Sequence, residues 1–233
     1  MALVGTVLLA AQANRPITWS PELHLKGTTD IPAQLQAPVL EGAKRVRLTN
    51  GTGSREVGNC EEYLNAVGTG FHPATLSEVK TAADFVYECF VLRDLQHARP
   101  AISSSSYSWS ANSLTQLPPV LVPGGNGATN AAEQSEKRGE SWKQFDPSLK
   151  IKKISGDLLL AEDNDFVYSL QILARGDFNG DGVEDIAVYG TAQGKHSTWA
   201  HAGYFIVSPS TNGKLTRLTH GSAPYRLKTQ IPN

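Results

Sequence analysis

Residues 175–190 read Arg-Gly-Asp-Phe-Asn-Gly-Asp-Gly-Val-Glu-Asp-Ile-Ala-Val-Tyr-Gly, and the oxygen-bearing side chains among them are spaced for a purpose. Asp177, Asn179, Asp181 and Asp185 stand at positions 1, 3, 5 and 9 of a D-x-N-x-D-G-x-x-D loop. A hard cation such as Ca²⁺ takes about six to eight oxygen ligands at about 2.3–2.6 Å. Alternating acidic and amide side chains in a tight turn aim several such oxygens inward at once. Gly182, at position 6, permits the sharp turn, and Val183 can offer its backbone carbonyl at position 7. Three clustered carboxylates repel one another without a cation, so ion and loop conformation should stabilise each other. The expected cofactor is Ca²⁺, with Asp177, Asn179, Asp181, the Val183 carbonyl and Asp185 as its ligands.

The elements around the loop decide what kind of calcium loop this is. Position 12 is Val188, where an EF-hand needs a bidentate Glu. Asp185-Ile186-Ala187-Val188-Tyr189 alternates in polarity like a strand and lacks the helical period. A strand, then D-x-N-x-D-G-x-x-D, then a strand resembles the core of FG-GAP and VCBS-type repeats, whose signature is similar to the Gly-Asp-Phe-Asn-Gly-Asp-Gly-Val-Glu-Asp-Ile-Ala-Val found here. That resemblance implies a structural Ca²⁺ within a β-hairpin, of a kind common in cell-surface or secreted adhesion and binding proteins. It covers about residues 170–190 in a single copy, so a multi-bladed propeller does not follow. Residues 14–141 resemble no family.

Other chemistry-bearing residues have plainer readings. Arg175-Gly176-Asp177 spells RGD, but the metal claims Asp177. Glu162-Asp163-Asn164-Asp165 reads as a solvated hairpin turn, since these residues favour turns for local reasons. His196 and His201 flank Trp199 at a spacing that is not helical and lacks a third ligand, which argues against a transition-metal site. Tyr189, Trp199 and Tyr204 read as core residues on one sheet face, with a carbohydrate or peptide surface as the other use of such aromatics. No nucleophile elbow, zinc-protease, Walker A or dinucleotide motif occurs.

Composition sets the broader bounds. The chain has 233 residues with 21 basic and 22 acidic side chains, a formal charge of −1. The two signs nearly balance in residues 14–121, 122–141 and 142–233 alike. No segment is basic enough to hold a phosphate backbone, so nucleic acid is not an expected partner. Ala2–Ala11 is an apolar run of 10 residues, too short to span a bilayer, which takes about 20. It fits the apolar region of a secretory signal, with Ala11-Gln12-Ala13 as the small-residue cleavage pattern, although no Lys or Arg precedes it. Residues 1–13 are therefore expected to be a signal peptide, and the mature chain periplasmic or secreted with no membrane span. Cys60 and Cys89, an even pair in an exported chain, are expected to form a disulfide.

The fold class expected is α+β. Residues 14–121 form a small disulfide-stapled unit, 122–141 a Gly- and Pro-punctuated linker, and 142–233 a β-rich domain around the calcium loop. In the first unit, Lys44 to Val57 reads as a hairpin turning at Asn50-Gly51, both residues accepting positive φ. Asn59 with Glu62 reads as the cap of a short helix ending at Gly68. A longer helix spans about Ala74 to Ala98, with Leu76, Val79, Ala83, Val86 and Phe90 on its buried stripe. In the second, strands are expected at Lys150–Ile154, Asp157–Ala161, Phe166–Ala174, Asp185–Gly190, Gly203–Val207 and Lys214–Leu218.

These readings point to a non-enzymatic, calcium-stabilised binding or interaction module. Its partner would be a protein or glycan, met by loops beside the ion including Gln193 to His201. The alternative is an exported hydrolase with a cleft between the halves, for which His72, His97, His196 or His201 would have to converge.

Overall fold

The hydrophobic patterns of the second half resolve into a single antiparallel meander, and the first half supplies one of the layers that cover it. The computed structural model describes residues 15–23, 25, 28–102, 107–119, 125–197, 200–210, 212–218 and 225–228. The expected signal peptide lies outside the described residues. In chain order come β1 (Thr18–Trp19), α1 (Ile31–Gln36), the hairpin strands β2 (Val46–Thr49) and β3 (Ser54–Val57), α2 (Cys60–Gly68) and α3 (Leu76–Leu95). Next follow α4 (Ser113–Gln116), α5 (Gly125–Lys137), α6 (Trp142–Phe145), β4 (Lys150–Ser155), β5 (Leu158–Glu162) and β6 (Phe166–Gly176). The chain ends in β7 (Asp185–Gly194), β8 (Ala200–Pro209), β9 (Leu215–Arg217) and β10 (Tyr225–Lys228). The class is α+β, with its strands concentrated towards the C-terminus.

Strand order is β10-β8-β7-β6-β5-β4, with β9 on the remaining length of β8 and β1 on the remaining length of β6. β7 and β8 are buried along most of their length, because both sheet faces are covered. One face carries Leu173, Ala187, Tyr204 and Ile206 into a core with α1, α2, α3 and the β2–β3 hairpin. The other carries Leu159, Leu170, Ile172, Val188 and Phe205 into a second core with Trp109, Leu117, Trp142 and Leu149. Alternation along β8 divides its residues between the two cores, as the period of two requires.

Local signals explain the first half well. Asn59 caps α2 by accepting from the Glu62 N–H at 2.9 Å, while the Glu62 carboxylate reaches one residue further back, to the Gly58 N–H. Gly68 is the last helical residue, and Gly70 at φ +84° closes the helix. Thr75 and Glu78 form a reciprocal capping box that starts α3 at Leu76, and the helix ends at Leu95, so it is shorter at both ends than the expected span from Ala74 to Ala98. Val79, Val86 and Phe90 are buried as the stripe requires. Ala82, Phe85 and Leu92 are buried too, because α3 lies between the sheet and the α2–hairpin layer. The Cys60–Cys89 disulfide joins the first turn of α2 to α3, with a Cα–Cα separation of 4.9 Å and both residues fully buried.

Three expectations change on contact with the structure. In the β2–β3 turn only Gly51 takes positive φ; Asn50 instead accepts from the Thr52 and Gly53 N–H groups through Oδ1. The stretch expected as linker contains α5, whose later part is buried at Ala132 and Ser135 and tied to β9 by a Glu136–Arg217 ion pair at 3.2 Å. The boundary at 122–141 does not separate two cores. β1 pairs with β6, and α3 stacks Phe90 on Tyr204 of β8 with ring centroids 5.8 Å apart.

Candidate metal centre

β6 and β7 pair down to Gly176 opposite Asp185, and residues 177–184 form the loop beyond that last pair. Gly180 and Gly182 take φ +85° and +82°, the left-handed region in which a Cβ is disfavoured. The chain therefore folds tightly enough to turn its own amides onto its acidic side chains. Asp177 is 4% exposed; its Oδ1 accepts from the Gly180 N–H at 2.6 Å and its Oδ2 from the Gly182 N–H at 2.9 Å. Asp181 Oδ1 accepts from the Val183 N–H at 2.7 Å, and its Oδ2 from the Asn179 amide at 2.9 Å. Asn179 Oδ1 in turn accepts from the Asp181 N–H at 2.9 Å. Each of these oxygens has a second lone pair beyond the bond it accepts.

Asp185 differs from the other carboxylates. It is fully buried; Oδ2 accepts from the Phe178 N–H at 2.9 Å, and Oδ1 makes no hydrogen bond of ordinary geometry, although the Ser208 hydroxyl is near enough to favour the charged carboxylate. Burial pushes its carboxyl up to about 6. The Ser208 hydroxyl and the Phe178 N–H oppose that rise, while the Asp181 and Asp177 carboxylates add to it. An ionised, half-satisfied carboxylate beside two others is costly in a dry site.

A test of fit for Ca²⁺ gives a divided answer. In favour, the donors are all oxygen, the class a hard cation takes, and Asp185 Oδ1 is a buried oxygen that makes no hydrogen bond of ordinary geometry. Against, among the described residues no three His, Cys, Asp or Glu side chains converge on one metal position, because Asp177 and Asp181 are folded onto loop amides. An ion would have to draw those side chains inward.

The loop is also bolted to the first half, which its sequence did not announce. Arg99 and Asp177 exchange backbone hydrogen bonds at 2.9 Å in both directions, and the Ile102 N–H donates to the Gly182 carbonyl at 2.8 Å. Residues 99–102, separated from α3 by residues 96–98, thus run along the loop as a strap. Arg15 pairs with Ala101 on the strap's other side, and its guanidinium lies 3.7 Å from the buried Glu184 carboxylate.

The remaining sequence candidates disperse. Arg175 of the RGD triplet pairs with Asp157, and Asp177 is buried, so the triplet is not on display. Asp163 accepts from the Asp165 and Phe166 N–H groups and from the Tyr168 hydroxyl, in the turn between β5 and β6 at the end of the sheet away from the acidic loop. The described residues of Gln193–His201 lie at that far end too: β7 spans 10 residues, which at about 3.3 Å per residue is roughly 30 Å. The segment therefore does not neighbour the loop. Tyr189 and Tyr204 face α3, making ring contacts with Tyr87 and Phe90, so they are core residues; Trp199 lies outside the described residues. His72 and His97 are exposed near the β2–β3 hairpin and after α3, His196 is exposed in the β7–β8 turn, and His201 is buried on β8. A pocket of about 320 Å³ beside the hairpin is lined by Arg45, Arg47, Glu56, Ser77, Glu78 and Thr81 and includes no histidine. Among the described residues no helix is long and apolar enough to cross a membrane. The chain matches no protein-family model, no curated protein and no solved structure.

Proposed function

We propose that the chain is an exported, calcium-stabilised binding module in which Ca²⁺ seats in the β6–β7 loop and no reaction is catalysed. The ligands are Asp177, Asn179, Asp181, the Val183 carbonyl and Asp185. The observation that carries the reading is Asp185 Oδ1, buried without a hydrogen bond of ordinary geometry inside a loop whose acidic spacing suits a hard cation. The resemblance of the loop to FG-GAP and VCBS-type repeats supports a structural role for the ion. The buried Cys60–Cys89 bridge supports an oxidising, extracytoplasmic setting.

Thermal unfolding of the full chain without reductant, in chelator and then in excess Ca²⁺, tests the proposal. A ligand at about 100 times its Kd stabilises the native state by about 2.7 kcal/mol. For a chain of this size that raises Tm by roughly 5–11 °C. Asp177→Ala/Asp181→Ala should abolish the calcium response. A double variant that responds like the parent would refute the ligand assignment.

A further inference from the structure

α3 packs over β8, β10 and part of β6, and among the described residues it leaves the same sheet face open across β4, β5 and the outer part of β6. Leu158 and Leu160 are half-buried there, and Val167 is 43% exposed. Lysines gather around this opening. Lys150 and Lys153 lie on this face by register, opposite Glu162 and Leu160. Lys152 sits at a β-bulge, its Nζ 3.0 Å from Glu162, and Lys195 reaches the same carboxylate at 3.2 Å. Among the described residues Glu162 is the partner of both, and Lys150 and Lys153 make no ion pair. With Asp163 and Asp165 in the adjoining turn, four lysines stand against three carboxylates, so this corner carries a net positive charge of one on a chain whose formal charge is −1.

β4 is also the terminal strand of the sheet, and among the described residues nothing pairs with its outer edge. On its other face Ile151 packs against the second core and Ile154 is 37% exposed. A strand laid along this edge therefore meets lysines on one face and isoleucines on the other. Its complement alternates acidic and apolar residues. Edge lysines guard a sheet against pairing with its own kind. A second copy offering the same edge would bring lysine against lysine, whereas an acidic segment turns that charge into attraction.

We propose that the β4 edge captures an extended acidic–apolar segment of a partner protein as an added strand, with main-chain hydrogen bonds supplying affinity and Lys150 and Lys153 selecting the charge. This rests on the reading of the chain as an interaction module and names where its partner sits.

The test is titration of a fluorescent octapeptide of alternating Glu and Val into the full chain, in Ca²⁺ and in chelator, with amide exchange followed at residues 150–155. Saturable binding with slowed exchange along β4 is expected. Lys150→Glu/Lys153→Glu should weaken it about tenfold, two reversed charges at about 0.7 kcal/mol each. Both side chains are exposed, so Tm should hold. An alternating Gln–Val peptide should bind about tenfold more weakly than its acidic counterpart for the same reason. No saturable binding, equal binding of the Gln–Val peptide, or binding without protection of the β4 amides would each overturn the proposal. The calcium proposal is judged by the separate shift in Tm: a peptide that binds a chain indifferent to Ca²⁺ overturns only the calcium reading, and a calcium response without peptide binding overturns only this one.

Discussion

Asp185→Asn separates a stranded carboxylate from a satisfied one. In the folded loop Asp185 is fully buried, keeps one bond from the Phe178 N–H and leaves Oδ1 without a hydrogen bond of ordinary geometry. Its carboxyl is pushed up to about 6. An aspartate in the unfolded chain titrates near 3.9. The folded state therefore holds this proton more tightly, and the contribution to stability is greatest below about pH 4 and is lost as pH rises through about 6. The difference, a little over two pH units at about 1.36 kcal/mol each, puts the cost of the ionised form at neutral pH on the order of 3 kcal/mol. Asparagine keeps an acceptor for the Phe178 N–H, carries no charge and can offer its amide to the Ser208 hydroxyl. In chelator at pH 7 Asp185→Asn should melt above the parent, by up to roughly 6–12 °C at about 2–4 °C per kcal/mol. At pH 4 the two should converge. In Ca²⁺ the order should reverse, because the parent gains the ion and the variant loses a charged ligand. The assay is a set of thermal melts at pH 4 and 7 with and without chelator. A variant that melts below the parent in chelator at pH 7 would show that the carboxylate is paired in the folded loop, and the reasoning would fail at its first step.

Two further outcomes follow from the same loop and from the disulfide. Gly182→Ala should cost about 1–2 kcal/mol, the penalty of an L-residue in the left-handed region; its new Cβ would also lie 3.3 Å from Ile102 Cδ1. Adding Ile102→Ala should not recover the loss in Tm, and full recovery would assign the cost to crowding in place of φ. Replacing both Cys60 and Cys89 by Ala opens a loop of sequence separation 29, which in the chain-entropy model costs about 3–4 kcal/mol. Urea unfolding without reductant measures it, and a midpoint unchanged from the parent would refute a structural role for the bridge.

What was legible in the sequence was local. The spacing of Asp177, Asn179, Asp181 and Asp185 located a hairpin loop between two strands, since turn chemistry and strand alternation act over a few residues. Asn59 and Glu62 marked the start of α2 for the same reason, and Cys89 beside Val86 and Phe90 placed the bridge on a buried stripe. What was not legible depends on pairing across distance. Nothing in Arg99 to Ile102 reads as a strand, because this strap is defined by the loop it lies along, more than seventy residues later. Thr18–Trp19 is two residues long and exists only as an extension of β6. The misplacement of Gln193–His201 is a topological error: in a meander successive turns fall at opposite ends of the sheet, so adjacency in sequence to a loop does not give adjacency in space.

The strap changes what an ion in the loop can do. Asp177 gives its side chain to Gly180 and Gly182 and its backbone to Arg99, while Gly182 gives its carbonyl to Ile102. A loop held in one conformation thus holds residues 99–102, and through Arg15 and Ala101 it holds the N-terminal end of the described chain. α3 ends three residues before the strap and fills the first core, so its end is anchored near the rim of the same sheet whose face it covers. Stabilisation of the loop is therefore shared with the disulfide-bridged helices, since order in the loop and in the strap is secured by the same hydrogen bonds.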